Sequence, residues 1–383
     1  MKGAHTTCLH FTFSASCLVG AETDAGASVR FTVVDAPKPR PRVIFSGIQP
    51  TGIPHLGNYF GALVNWVKLQ AEAGADDKLL FSVVGWHALT LPQDPRKLAA
   101  ARSDMIALLL AVGIDPKRSV IFHQDHVQAH TELSWILGCL ISVGRLQRMT
   151  TWKSRLAVAR NANDESEIDD SVLNTGLLTY PVLQAADILA YKSTHVPVGD
   201  DQQQHIELAR DIADAFNRAY SKKRRFFSLP DLMTTPSKRI LSLTDPSAKM
   251  SKSAFDPKSR IELTHTAAEI TTRIRGATTD SIQGITYDPV ARPGTSNLLT
   301  ILAACTGESA EACAARFASR DHGALKAAVT EAVEAALAQP RKEFTRLRAE
   351  QTYLADVAAE GAVKAREMAD ATLREVRKLT GLA

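Results

Sequence analysis

The sequence predicts an α/β protein, built on a doubly wound parallel sheet and followed by an all-helical C-terminal region. Three observations predict it. Short apolar runs bounded by turn residues alternate with longer segments of helical spacing, the pattern of a parallel sheet with helices on both faces. The polar motifs follow the strands, and ligands of such sheets sit at the strands' carboxyl ends. From about Thr295 onward the chain becomes Ala-rich, with Leu325, Val329, Val333 and Leu337 recurring every four residues.

The elements follow in order. Val43-Ile44-Phe45-Ser46-Gly47-Ile48 is an apolar run of strand length, and Gln49-Pro50-Thr51-Gly52 is turn chemistry. After Gly57, the residues Leu63, Trp66, Val67 and Leu69 are spaced as a helix face. Leu79 to Val84 reads as the next strand. Pro95 to Val112 reads as a helix with Asp94 as its cap, and Ser119 to Phe122 as a third strand. Asn161 to Asp170 holds five acids and little that is apolar, so an exposed loop is expected. In the C-terminal region Pro340 is expected to break the helical run, and Gly381 to follow the last helix.

Composition sets limits. The chain of 383 residues has a formal net charge of +4, which permits a nucleic-acid partner without demanding one. Its five cysteines are odd in number and none is spaced C-x-x-C, so neither a disulfide framework nor a protein-bound zinc site is expected. No apolar stretch reaches the roughly 20 residues of a membrane span, and no membrane association is expected. Met1 to Ala21 contains no acid and many Ser and Thr, with Lys2 its one cation. Lack of acids suits an organelle-targeting segment, whereas the lack of Arg before Arg30 does not. Ala36-Pro37-Lys38-Pro39-Arg40-Pro41 is a proline-rich linker.

Two motifs carry the chemistry. Pro54-His55-Leu56-Gly57-Asn58 follows the first strand and turn, at the start of a helix that offers unpaired N–H groups and a positive dipole end. His55 and Asn58 can donate to phosphate oxygens there. By itself this is also what a plain strand-to-helix turn looks like. The second motif is Ala248-Lys249-Met250-Ser251-Lys252-Ser253, which alone reads as a solvated basic loop. Present together and in this order, the two resemble the HIGH-like and KMSKS signatures of class I aminoacyl-tRNA synthetases.

Further segments narrow the resemblance. Phe45 to Gly52, Gly176-Leu177-Leu178-Thr179-Tyr180-Pro181, Ala185-Ala186-Asp187-Ile188-Leu189 and Val196 to His205 resemble the bacterial and mitochondrial tryptophanyl-tRNA synthetases, from about Arg42 to the C-terminus. The resemblance implies a Rossmann-like catalytic domain over residues 42–240 and a KMSKS loop segment over 241–260. A helical, tRNA-anticodon-binding domain over 261–383 and an N-terminal extension over 1–41 complete it. It implies Asp187 as acceptor for the indole N–H, and Tyr180 and Gln202 as ligands of the ammonium group. Phe45, Gly47, Val196 and Val198 would wall the indole pocket, with Gln184 at its edge. Gln49 and His87 would meet the carboxylate side, Gln49 also reaching towards ATP. His55, Gly57, Asn58, Arg155, Gly199, Asp201, Lys249, Met250, Ser251 and Lys252 would form the ATP site, with His55, Asn58, Lys249 and Lys252 acting in catalysis. The sequence departs from the family at Gly85, where relatives often carry Asp. It departs also at Gln184 for Met and at Arg155 for Lys, which keeps the charge but changes its geometry.

The implied reaction uses ATP with Mg²⁺, L-tryptophan and tRNA(Trp), in a homodimer of the mitochondrial matrix or, alternatively, the cytoplasm. An amino-acid carboxylate is already ionised at neutral pH, so attack on the α-phosphorus needs positioning and charge stabilisation rather than a general base. A tyrosyl-tRNA synthetase and a nucleotidyltransferase with a HIGH-like loop are the rival readings. The segment around Asp187 disfavours the first, and the long helical C-terminal region the second.

Overall fold

Val43–Ile48 forms β1, Lys78–Val83 β2 and Val120–His123 β3, and His195–Val198 and Asp231–Thr234 add β4 and β5. The ladders are all parallel and the order is β3-β2-β1-β4-β5. The structure is a computed structural model, and it describes residues 41–149, 173–199, 202–234, 239–252 and 254–383. Most of the 1–41 extension and the acidic stretch 161–170 lie outside the described residues.

Successive side chains of a strand face opposite sides. Ile44, Leu79, Phe81 and Ile121 therefore enter one core, while Phe45, Leu80 and Phe122 enter another. Both faces are covered, which is why these strands read as continuous apolar runs rather than alternating ones. On the first face pack α1 and α3. Helix α1 opens at Leu56–Asn58, passes through a π-helical turn at Tyr59–Leu63 and continues over Val64–Glu72, burying Leu56, Leu63, Trp66 and Leu69. Helix α3 is Pro95–Ala111, capped by the Asp94 carboxylate, which accepts from the N–H groups of Arg96 and Lys97. The short α2, Gly85–Ala88, follows β2.

On the second face lie α4 (Ala129–Gly138), α5 (Val143–Gln147), α6 (Thr175–Leu189) and α7 (Gln203–Tyr220). The C-terminal region is helical as expected: α8 Ala267–Arg275, α9 Pro293–Thr306, α10 Ala310–Phe317, α11 His322–Arg348 and α12 Gln351–Thr380. Gly381 ends α12 in the left-handed conformation, φ 79°.

Pro340 does not break the helical run, contrary to expectation: α11 passes through it to Arg348. A proline removes one helical hydrogen bond and crowds the carbonyl four residues back. Packing on both sides offsets that cost. Leu325, Val329, Val333 and Leu337 before it and Phe344 and Leu347 after it are all buried, and an ion pair between Arg341 and Glu334 spans it.

Residues 41–383 form one compact unit. Helix α11 packs on α3, and α12 runs along β3, the edge strand. A β-carbon at Gly361 would stand 1.8 Å from the Ile121 carbonyl oxygen, so only glycine allows this approach. The helix thus covers a strand edge that would otherwise offer itself for pairing. Backbone pairing also joins the turn after β1 to the segment after residue 260. Leu56 N–H donates to the Ile261 carbonyl, and Leu263 N–H to that of Pro54.

No described helix is long and apolar enough by itself to cross a membrane. The bent pair α9 and α10 reaches that composition together, but its Leu298, Leu299, Ile301, Leu302 and Cys313 are buried in the core.

Candidate active site

The strand order reverses direction between β1 and β4, and there a crevice opens beyond the carboxyl ends of the strands. A cavity of about 220 Å³ lies in this region. Phe45, Gly47 and Gln49 reach it from β1 and the following turn, His87 from α2, and Val196 and Val198 from β4. Gln184, Asp187 and Gln202 complete the expected part of its lining. Ser46, Val84 and Ile188 line it too, and the sequence reading missed them. They are neighbours in sequence of residues it named, so strand and helix adjacency was the signal available.

Asp187 is the chemical centre of this cavity. It sits on the buried face of α6 with 1% of its surface exposed. Its Oδ1 lies 2.6 Å from His130 Nδ1 and its Oδ2 2.9 Å from His87 Nε2. Gln124 Nε2 donates to both oxygens, at 2.7 and 2.8 Å. Burial pushes the carboxyl pKa upward, but His130 and His87 beside it more than reverse this and bring it to about 2. Asp187 is therefore a buried, ionised acceptor in the cavity wall. His87 faces Asp187. Gln124 and His130 are polar residues missed in the sequence; the first follows β3 directly, at a strand end where such residues merit inspection.

Tyr180 is 2% exposed and does not line the cavity; its hydroxyl lies 2.7 Å from His205 Nε2. The Gln184 amide nitrogen is 3.5 Å from Gln202 Oε1, so the residue replacing the family's Met is within reach of a polar neighbour on the rim. At Gly85 a β-carbon would lie 2.6 Å from Asp125 Oδ1. Asp125, paired with Arg102, fills the space that a larger residue at 85 would need.

The two signatures meet at the turn after β1. His55 and Glu262 form an antiparallel bridge, as do Leu241 and Lys249, and the Lys252 ammonium donates to the Gly52 carbonyl at 3.1 Å. Met250 is 2% exposed and belongs to the core, so its side chain anchors the loop between the more accessible Lys249 and Ser251.

His55 Nδ1 accepts from the Gly57 N–H at 3.1 Å, and Asn58 Oδ1 accepts from the His55 N–H at 3.2 Å. This reciprocal cap leaves His55 Nε2 as the ring's N–H donor and Asn58 with its amide donors. Burial, then Lys252, Arg260 and Lys249, lower the His55 pKa to about 3, so it is a neutral donor. Burial also lowers Lys252, to about 8, with Glu262 opposing the shift. Two cationic side chains and two neutral donors thus converge around a helix start, an arrangement suited to a polyphosphate.

Gly199 follows β4, and its carbonyl accepts from the Gln202 N–H. Arg155, Asp201 and Ser253 lie outside the described residues. Among the described residues no group of three His, Cys, Asp or Glu side chains is placed to hold a metal ion.

The family model of the class I tRNA synthetases (W and Y) matches residues 38–338, most of the chain, and the chain belongs to that family. It is 44% identical over 352 residues to the mitochondrial tryptophan–tRNA ligase of Schizosaccharomyces pombe, across 90% of this chain and 96% of that one. It is 43% identical over 340 residues to the tryptophan–tRNA ligase of Wolinella succinogenes, across 88% and 98%. The tryptophanyl-tRNA synthetase of Campylobacter jejuni, solved with ADP and tryptophan, matches it with a TM-score of 0.72 at 30% identity, across 89% of this chain and 100% of that one. Within the class, the chain falls among the tryptophan–tRNA ligases, not with either rival reading.

Proposed function

We propose that this enzyme joins L-tryptophan to ATP at the crevice between β1 and β4, and then transfers the tryptophanyl group to tRNA(Trp). The single observation carrying this reading is the juxtaposition at the carboxyl ends of the central strands. An ionised, buried Asp187 stands in a cavity walled by Phe45, Val84, Ile188, Val196 and Val198, and the His55–Asn58 turn bridges the segment that follows Lys252. The indole N–H donates to Asp187. The ATP phosphates lie against His55, Asn58, Lys249 and Lys252, with Mg²⁺ carried in on the phosphates. The tryptophan carboxylate attacks the α-phosphorus and pyrophosphate leaves towards Lys252. The terminal ribose hydroxyl of the tRNA then attacks the acyl carbon and releases AMP.

Selectivity follows from the acceptor. A ring without the N–H in this place forgoes one hydrogen bond to a charged, buried acceptor, worth about 1.5–3 kcal/mol, which penalises phenylalanine and any ring whose donor lies elsewhere. The test is ATP–pyrophosphate exchange with each of the amino acids, followed by aminoacylation of mitochondrial and cytosolic tRNA pools. Tryptophan alone should drive the exchange. Exchange driven by tyrosine would overturn the reading.

The active form is a homodimer. Trp135 on α4 is 78% exposed and Val143 on α5 58% exposed, large apolar surfaces on consecutive helices that a second copy would cover. A monomer in light scattering at micromolar concentration would refute it. Import into mitochondria is favoured by the acid-free Met1–Ala21 segment and by the mitochondrial relative, though the Wolinella enzyme is about as similar. A reporter fused to residues 1–41 should enter mitochondria; a diffuse cytosolic signal would count against import.

A further inference from the structure

We propose that His130 and Tyr191 are positioning residues for Asp187: they hold its carboxylate from behind the cavity, so that the pocket demands an N–H donor from the ring it receives. The inference rests on the reading of this cavity as the tryptophan pocket.

The partners of Asp187 divide into two sets. His87, on Oδ2, lines the cavity; Gln124 and His130 do not. His130 is fully buried. A carboxylate only accepts, so the nitrogen facing it must carry a hydrogen, and His130 Nδ1–H donates to Asp187 Oδ1. In the neutral ring Nε2 then presents a lone pair. The Tyr191 hydroxyl, 2.7 Å away, donates to it. Tyr191 stays a phenol, because burial, reinforced by Asp187 and Asp370, raises its pKa well above the usual value.

The relay therefore runs from Tyr191 O–H to His130 Nε2, and from His130 Nδ1–H to Asp187 Oδ1. It is held rigidly. The Tyr191 ring stacks on Phe45 with centroids 5.5 Å apart and planes 15° apart, and meets Phe122 edge-on at 5.9 Å. Phe45 itself lines the cavity, so the relay and the pocket wall share one ring contact. With Oδ1 committed behind the wall, approach from the cavity is to Oδ2, on the His87 side. A ring N–H arriving there meets an ionised acceptor in fixed orientation. A ring of the same shape with no donor covers that face of Oδ2 without pairing it, and only His87 and Gln124 still donate to that oxygen.

The experiment compares L-tryptophan with L-3-benzothienylalanine, in which sulfur replaces the ring N–H, by kcat/KM in ATP–pyrophosphate exchange. His130→Leu removes the donor to Asp187. His130→Asn returns an amide N–H near the place of Nδ1. Tyr191→Phe keeps the stacked ring and removes the first donor of the relay. The tryptophan-to-analogue ratio should fall about tenfold in His130→Leu, as expected for losing one hydrogen bond to a charged group. It should recover largely in His130→Asn and fall by a smaller factor in Tyr191→Phe, with the KM for ATP unchanged throughout.

A merely structural role would lower both amino acids together and leave the ratio constant. That result in both His130→Leu and Tyr191→Phe overturns the proposal. Should His130→Leu fail to fold, Tyr191→Phe decides alone. A wild-type enzyme inactive with tryptophan would instead overturn the function reading, which is a separate outcome.

Discussion

Replacing Asp187 by Asn preserves shape and volume and changes one acceptor into a donor. The structure leaves the new amide no comfortable orientation. Gln124 Nε2 lies 2.7 and 2.8 Å from the two carboxylate oxygens, so whichever way the substituted side chain turns, an N–H faces an N–H. Gln124 cannot simply flip to relieve this, because its Oε1 accepts from the Trp86 N–H at 3.0 Å. At least one buried donor is left unpaired, at about 1–3 kcal/mol. The indole N–H also loses a charged acceptor for a neutral one. Asp187→Asn should therefore raise the KM for tryptophan by about ten- to a hundredfold, since each 1.4 kcal/mol is a factor of ten. The KM for ATP should hardly change. Thermal unfolding should move down by several degrees, at about 2–4 °C per kcal/mol for a chain of this order of size. Exchange kinetics against both substrates and a melting curve on the same preparation measure all three. An unchanged tryptophan KM with an unchanged melting temperature would refute the reasoning, because it would mean that the four contacts to Asp187 carry neither recognition nor stability.

Three further outcomes are expected. Lys252→Ala should slow single-turnover adenylate formation by about a hundred- to a thousandfold, the cost of losing one preorganised donor to charge that develops in the transition state. A near-normal rate with a raised KM for ATP would reduce Lys252 to a binding role. Because burial lowers Lys252 to about 8, kcat/KM for ATP should be full below that pH and fall as pH rises through it. Bound phosphates favour the ammonium, so the corresponding break in kcat should lie at higher pH, and a pH-independent kcat/KM between pH 7 and 9 would contradict this. Gly361→Ala should destabilise the fold by about 1–3 kcal/mol or more, since α12 must shift off β3 to admit a methyl group 1.8 Å from a carbonyl oxygen. An unshifted denaturation midpoint would show that the helix yields freely.

The local elements were legible because short-range chemistry specifies them. The β1 run, the Asp94 cap with Pro95 in the first turn, and Gly381 at the end of α12 each depend on residues a few positions apart. The function class was legible for a similar reason. The groups proposed to hold polyphosphate cluster in two short segments, His55–Asn58 and Lys249–Lys252, whose order along the chain is itself distinctive. Pro340 was misread because local propensity argues for a break, and the helix is kept by contacts with Leu337, Phe344 and Leu347 that a local rule does not see.

Sequence by itself determined that a parallel sheet would be followed by a helical region, and that an acid would stand in the apolar Ala185–Leu189 segment. Tertiary structure alone decided what surrounds that acid. His87, Gln124 and His130 come from elements distant from Asp187 in the chain, Tyr191 reaches it only through His130, and none is marked by its neighbours as belonging to this set. The reason is physical. A buried carboxylate must collect donors from whatever elements pack against it, and those elements meet only when β1, β2, β3 and the helices over them are laid side by side.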